Sequence, residues 1–168
     1  MIRNATIDDA QALANIYAHY VLATTITYET EPPGIEEMAN RWKNISANYP
    51  YLVMEEQGKV IGYAYAGRFR ERKAFDPTTE VSIYFHKDYC GKGRGPELMN
   101  ALFQELEKYP YATAVACISS NNDISAKFCK NMGFVFVGIL ENVGYKMNQW
   151  LGLAEYTKKL RDYNKNAI

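Results

Sequence analysis

The densest concentration of chemically useful residues is the run Cys90-Gly91-Lys92-Gly93-Arg94-Gly95-Pro96. Alternate glycines let a phosphate approach the backbone closely, and unpaired N–H groups in a loop that opens a helix attract an anion. Lys92 and Arg94 add positive charge at the same place, and Pro96 costs no hydrogen bond in a first helical turn. The chemistry this pattern offers is an anion cradle. It is not a Walker loop, which needs Gly-Lys-Ser/Thr after four spacer residues. Nor is it a dinucleotide fingerprint, because the third glycine of Gly-x-Gly-x-x-Gly is absent and the run lies mid-chain. On this segment alone, a plain flexible turn between strand and helix remains open.

Further along, Asn122, Ser125, Phe128, Gly133 and Phe134 fall in the order Asn-x-x-Ser-x-x-Phe-x-x-x-x-Gly-Phe. The three cysteines, Cys90, Cys117 and Cys129, are odd in number and show no Cys-x-x-Cys spacing. That argues against both a disulfide framework and a zinc knot. His19 and His86 have no neighbour at metal-ligand spacing, so no metal is expected. Fourteen tyrosines is a high count for a chain this size and points to core or interface packing.

A cradle of this kind needs a strand in front and a helix behind, and the flanking sequence offers both. Glu80 to Phe85 alternates Val81, Ile83 and Phe85 against Glu80, Ser82 and Tyr84, as a strand does. Pro96 to Tyr109 places Leu98, Ala101, Leu102 and Leu106 at helical spacing, and Pro110 stops it. Upstream, Thr6-Ile7-Asp8-Asp9 reads as a capping signal before a helix whose stripe is Ala10, Leu13, Ile16, Tyr17, Tyr20 and Val21. Thr24 to Pro33 is a loop. A second helix follows from Pro33-Gly34 to Pro50, with Ile35, Met38, Trp42 and Ile45 on one face. Tyr51 to Glu56 and Val60 to Ala66 make a hairpin about Gln57-Gly58, and Arg68 to Pro77 is a polar loop. Thr113 to Ile118 is a strand, Ile124, Phe128 and Met132 mark a helix closed by Gly133, and Phe134 to Leu140 and Asn148 to Lys158 are two last strands. The alternation predicts an α/β or α+β sheet with helices on both faces.

With 168 residues, 48% apolar, the chain fits one domain spanning residues 1–168. Lys+Arg and Asp+Glu number 19 each, and a neutral chain lacks the basic excess expected of a nucleic-acid or anionic-lipid binder. No apolar run reaches membrane-spanning length. Met1 to Ala5 has no signal-peptide layout, so the cytoplasm is the expected location.

With the glycine run upstream at the matching distance, the Asn122–Phe134 constellation resembles the GNAT superfamily of acetyl-CoA-dependent acetyltransferases, over nearly the whole chain. Tyr28-Glu29-Thr30-Glu31-Pro32, Glu80 to Phe85 and Val143-Gly144-Tyr145-Lys146 with Trp150 are similar to its phosphinothricin and amino-acid N-acetyltransferase branch. The resemblance implies a mixed, mostly antiparallel sheet of about seven strands flanked by about four helices. It implies acetyl-CoA as donor, with the pantetheine arm on the strand end Ile83, Tyr84 and Phe85. The pyrophosphate would lie on Gly91, Lys92, Gly93, Arg94, Gly95 and Pro96, where Pro96 has no N–H to give. Asn122 and Ser125 would meet the arm as well.

Glu80 matches the family's glutamate beside the acceptor amine. An amine attacks a thioester only when neutral, and a carboxylate within reach can take its proton. A solvent-facing strand carboxylate is the plainer reading of Glu80. Cys129 stands where the family usually has Tyr or His, placed to protonate the departing thiolate; a thiol can do this, or it can simply pack. Cys90 replaces the usual Arg or Gln at the loop entrance. Substrate selection is expected from Tyr28, Glu29, Thr30, from Lys73, Ala74, Phe75, and from Val81 and Ser82 beside Glu80. Arg70, Arg72 and Lys73 are candidates for meeting an acceptor carboxylate. The implied reaction is direct attack by the primary amine of a small amino-acid-like acceptor, without an acyl-enzyme, in a homodimer. A polyamine, aminoglycoside or protein N-terminus as acceptor, and an acetyl-CoA-binding module without catalysis, are the alternatives.

Overall fold

A computed structural model describes residues 1–163 of the protein. Residues 164–168, which the single-domain expectation also takes in, lie outside the described residues. The described chain forms seven strands: β1 (Ile2–Asn4), β2 (Tyr51–Glu56), β3 (Lys59–Arg68), β4 (Thr78–Phe85), β5 (Thr113–Ser119), β6 (Val135–Lys146) and β7 (Gln149–Lys159). They make one sheet in the order β1-β2-β3-β4-β5-β7-β6. Every neighbouring pair is antiparallel except β4 with β5. The described α-helices are α1 (Ala10–Ala23), α2 (Ile35–Ser46), α3 (Gly95–Leu106) and α4 (Asp123–Asn131).

Strand alternation sorts the core into two layers. Tyr51, Val53 and Tyr63 pack with Leu13, Ile16, Tyr17, Tyr20 and Val21 of α1 and Met38 of α2. Leu52, Met54, Ile61, Ala64 and Val81 pack on the opposite face with Leu98, Met99, Leu102 and Leu106 of α3 and Cys129 of α4. Both helix stripes follow the periodicity of the sequence. Burying a side chain such as Leu98 or Leu102 contributes roughly 1.5–3 kcal/mol. Six tyrosines, at 17, 20, 51, 63, 111 and 156, are buried, and Tyr51 stacks on Tyr65 with ring centroids 4.8 Å apart.

Local signals set the element ends. Asp9 accepts the Thr6 N–H at 2.7 Å before α1, as the capping signal predicts. Gln57 and Gly58 both take positive φ, the conformation a two-residue hairpin turn requires. The structure also differs from the sequence reading. Strand β1 was not expected, because three residues are too few to show a period. α3 stops at Leu106 rather than Tyr109, whose N–H turns back onto the Leu106 carbonyl at 3.1 Å. β6 runs on to Lys146 instead of ending at Leu140; its register shifts between Leu140 and Gly144, where Asn142 has φ 55°. That irregularity hides the second half of the strand from an alternation test.

The feature that positions the site is where β4 and β5 part. Their parallel pairing has only three rungs, Thr78 with Thr113, Thr79 with Ala114 and Glu80 with Val115. Beyond Glu80, β4 stays paired to β3 as far as Phe85 with Gly62. β5 stays paired to β7 as far as Ser119 with Leu153. The sheet is therefore split from Val81 onward, leaving one edge of β4 unpaired inside the molecule.

Candidate active site

Two adjoining cavities occupy this split. The first is a slot between Val81, Ser82, Ile83 and Tyr84 on one side and Ala116, Cys117 and Ile118 on the other, closed below by Asn122, Ser125, Phe128 and Cys129 of α4. The second, with a volume of about 340 Å³, is a cleft bounded by α1, the loop after it, β4, β5 and β7. Ile26, Ser82, Tyr84 and Cys117 stand in the walls of both. A group in the slot and a group in the cleft would thus meet across a few side chains.

The glycine run lies beyond the open end of the split. Gly91 and Gly93 have φ of 72° and 73°, a left-handed region that glycine enters without strain. Among the described residues, none of the amides of Gly91, Lys92, Gly93 and Arg94 donates to a backbone carbonyl. Gly95 opens α3 with Pro96 in its first turn, and a Cβ on Gly95 would stand 3.0 Å from the Phe128 ring. The loop is therefore an exposed set of free donors at the positive end of a twelve-residue helix, as an anion cradle needs. Its two cations are not equivalent. Arg94 is held by Glu56 through two 2.7 Å hydrogen bonds, whereas the Lys92 ammonium lies over the Tyr89 ring, 5.0 Å from its centroid. Cys90 does not face the cradle; its Sγ lies 3.4 Å from the Tyr20 hydroxyl, which donates to the Phe85 carbonyl at 2.6 Å.

Asn122 caps α4. Its Oδ1 accepts the Ser125 N–H at 3.1 Å and its Nδ2 donates to Ser125 Oγ at 2.8 Å. The pair seen in the sequence is thus a helix cap that also lines the slot. Cys129 is buried behind it, and burial pushes its thiol up to about 11.

Glu80 is half-buried in the wall of the cleft. Desolvation holds its carboxyl above the ordinary value; Arg70 opposes that rise and Glu155 adds to it. Ser82 and Tyr84 follow it along the same face. Tyr28 also lines the cleft, its hydroxyl donating to the Gly152 carbonyl at 2.7 Å. Its ring packs where a Cβ on Gly144 would come within 2.6 Å.

The remaining expected substrate residues stand elsewhere. Glu29 makes two hydrogen bonds with Arg41, at 2.7 and 3.0 Å, and accepts from Tyr17 at 2.9 Å. Burial works to raise its carboxyl, but Arg41 and Tyr17 outweigh it and hold it below the ordinary value. Glu29 lines a small separate cavity beside α2. Thr30 is exposed, and so are Lys73, Ala74 and Phe75 on a short 3-10 turn. Phe75 reaches the cleft only indirectly, edge-on against Phe69 with centroids 5.8 Å apart. Of the three loop cations, Arg70 enters the cleft wall while Arg72 and Lys73 do not.

Sequence reasoning passed over Cys117 and Glu155. They are cross-strand partners on β5 and β7 and both face the cleft. Burial, with Glu80 and Glu155 nearby, pushes the Cys117 thiol up to about 12. Neither residue sits in a local motif; sheet pairing alone brings them to Glu80.

This arrangement, an internally unpaired strand edge followed by a glycine cradle, accords with the comparisons. The model of the acetyltransferase (GNAT) domain matches residues 2–152. A phosphinothricin N-acetyltransferase from Alcaligenes faecalis is 39% identical over 146 residues, covering 86% of this chain and 74% of that protein. An L-amino acid N-acyltransferase from Escherichia coli (strain K12) is 36% identical over 153 residues, covering 90% of this chain and 89% of its own. The crystal structure of a GNAT superfamily phosphinothricin acetyltransferase from Sinorhizobium meliloti in complex with acetyl-CoA superposes with a TM-score of 0.92, at 33% identity over 99% of this chain and 94% of that one. The chain belongs to the GNAT acetyltransferase family and is an acetyl-CoA-dependent N-acetyltransferase.

Proposed function

We propose that this enzyme acetylates the primary amine of a small amino-acid-like acceptor, of the phosphinothricin or methionine-sulfone type, with Glu80 as general base. The observation behind this reading is the place of Glu80: at the last β4–β5 rung, half-buried, in a cleft of about 340 Å³ that adjoins the slot. A cleft of that size is at the small end of ligand sites. The names of the relatives, phosphinothricin and L-amino acid acetyl- or acyltransferases, favour the same acceptor class.

Acetyl-CoA supplies the acetyl group. The cradle amides of Gly91 to Gly95 take its pyrophosphate, and the free edge of Ile83 to Phe85 takes its pantetheine amides, with Asn122 and Ser125 along the arm. Glu80 accepts one proton from the acceptor ammonium, directly or through a water. The neutral nitrogen forms the new N–C bond as the C–S bond breaks. Cys129, which its burial keeps protonated, gives a proton to the departing sulfur and recovers one lost by the acetylated nitrogen. Ser82 and Tyr28 shape the acceptor cleft, with Phe75 behind the Phe69 wall. Residues 1–168 act as one domain in the cytoplasm, as a homodimer; the support for a dimer is the apolar surface of Val135, Val137, Val143 and Trp150, all more than half exposed.

A panel of amino acids, polyamines, aminoglycosides and N-terminal peptides, followed by coenzyme A release, tests the acceptor class. Turnover confined to small α-amino acids is the expected result. Turnover confined to polyamines, aminoglycosides or peptides would replace this acceptor, and saturable acetyl-CoA binding without turnover would mark a non-catalytic module.

A further inference from the structure

The loop after α1 lends Ile26, Thr27 and Tyr28 to the cleft wall, and Ile26 to the slot as well. Yet among the described residues no N–H or carbonyl of residues 25–33 bonds to another backbone group. Side chains hold the loop instead, and one of them is a buried cation. Lys146, the last residue of β6, is 5% exposed. Its Nζ donates to the Thr27 carbonyl at 2.8 Å and, more weakly, to the Tyr20 carbonyl at 3.4 Å. No carboxylate among the described residues pairs with it, and Glu29, two residues beyond Thr27, is engaged by Arg41. Lysine is rarely buried without a partner, and an ammonium out of water is costly unless its donors are satisfied. Here they are directed at the last turn of α1 and at the loop that leaves it.

The same face of β6 also fits the loop sterically. Gly144 precedes Lys146 by two residues, so strand alternation puts both on one side. Val143 and Tyr145 take the other side and are exposed. A Cβ on Gly144 would come within 2.6 Å of the Tyr28 ring, whose hydroxyl donates to the Gly152 carbonyl of β7 at 2.7 Å.

We infer that Lys146 is a positioning residue: beside Gly144, it clamps Ile26 to Tyr28 in the shape that the acceptor requires. The inference rests on the reading of the cleft as the acceptor site. Lys146 lines neither cavity, so it acts through the loop and not on the substrate. Hydrogen bonds from a charged donor are the stronger kind, and without them the loop has no backbone pairing to keep it in place. An acceptor that binds only the placed loop is then weakened in proportion to the competent fraction, while the bound complex stays as it was.

Lys146→Met keeps the length of the side chain and removes the ammonium. With acetyl-CoA saturating and an amino acid that the enzyme acetylates, the acceptor KM is expected to rise at least about tenfold, within the worth of one hydrogen bond to a charged group. The kcat at saturating acceptor should stay within about threefold, and the acetyl-CoA dissociation constant should hold. A lower melting temperature with native KM would make Lys146 a stability residue only and overturn the assignment, as would a fall in kcat at native KM. Should Lys146→Met not fold, Gly144→Ala crowds Tyr28 from the same strand and should raise KM alone; native KM in that variant would overturn the assignment too. A Glu80→Gln enzyme at the native rate would instead remove the cleft reading itself. A Glu80→Gln defect beside an unmoved KM in Lys146→Met would remove the role of Lys146 and leave the cleft.

Discussion

Glu80 pairs with Val115 on the last rung before β4 and β5 separate. This places a half-buried carboxylate at the apex of the split, in the wall of the cleft. One residue earlier it would sit on the opposite face of the sheet, as buried Thr79 does. One residue later it would again face the core, as buried Val81 does among the side chains of α3 and α4. The position of Glu80 is thus fixed by strand alternation and by where the ladder ends.

The pH dependence should carry the mark of that environment. Glu80 works as a base only when ionised, and its carboxyl is held above the ordinary 4.5, chiefly by desolvation with Glu155 contributing. Activity is therefore present above the raised value and lost as pH falls through it. The acceptor ammonium titrates well above this range, so the acid limb of kcat/KM is separable. Glu155→Gln removes a like charge and should move that limb to lower pH, by on the order of one unit or less. A limb that stays in place or moves up would contradict the assignment.

The cradle can be tested without touching the chemistry. A Cβ on Gly93 would meet nothing within 4 Å, yet the residue has φ 73°. Gly93→Ala therefore changes conformation rather than packing, at a cost of roughly 1–2 kcal/mol for a non-glycine residue there. Calorimetric titration should show acetyl-CoA affinity falling about tenfold, with kcat at saturating donor little changed. Unaltered affinity would mean that the loop does not hold the pyrophosphate.

Cys129 as proton donor predicts a kinetic effect distinct from packing. Cys129→Ala should lower kcat about ten- to hundredfold while the acetyl-CoA dissociation constant holds. Cys129→Ala at full kcat, with only a lower melting temperature, would make the residue a core thiol. Mass spectrometry of the enzyme during turnover should find no acetyl group on Cys129, Cys117 or Cys90, as direct transfer requires.

Much of this was legible in local sequence, because local geometry sets it. Glycines 91 and 93 mark the left-handed residues of the loop, whereas the cap that Asn122 makes with Ser125 was not read from the sequence. The alternation from Glu80 to Phe85 separates core from cleft. Non-local relationships left no such trace. Arg94 reads as a phosphate cation, yet Glu56, 38 residues away, takes its guanidinium. Glu29 reads as a substrate residue, yet Arg41 on α2 engages it. Cys117 and Glu155 gain their meaning only from the β5–β7 register, and Lys73 to Phe75 lose theirs because a 3-10 turn leaves them outside the cleft wall.

Glu80→Gln keeps the shape of the side chain and removes only its basicity, so it separates a Glu80 that deprotonates the acceptor from one that merely lines the cleft. With an amino acid that the enzyme acetylates, kcat/KM near neutral pH should fall by about 10²- to 10⁴-fold, the acid limb of the pH profile should disappear, and acetyl-CoA affinity should remain as it was. A folded Glu80→Gln enzyme that keeps the native rate and pH profile would contradict the claim.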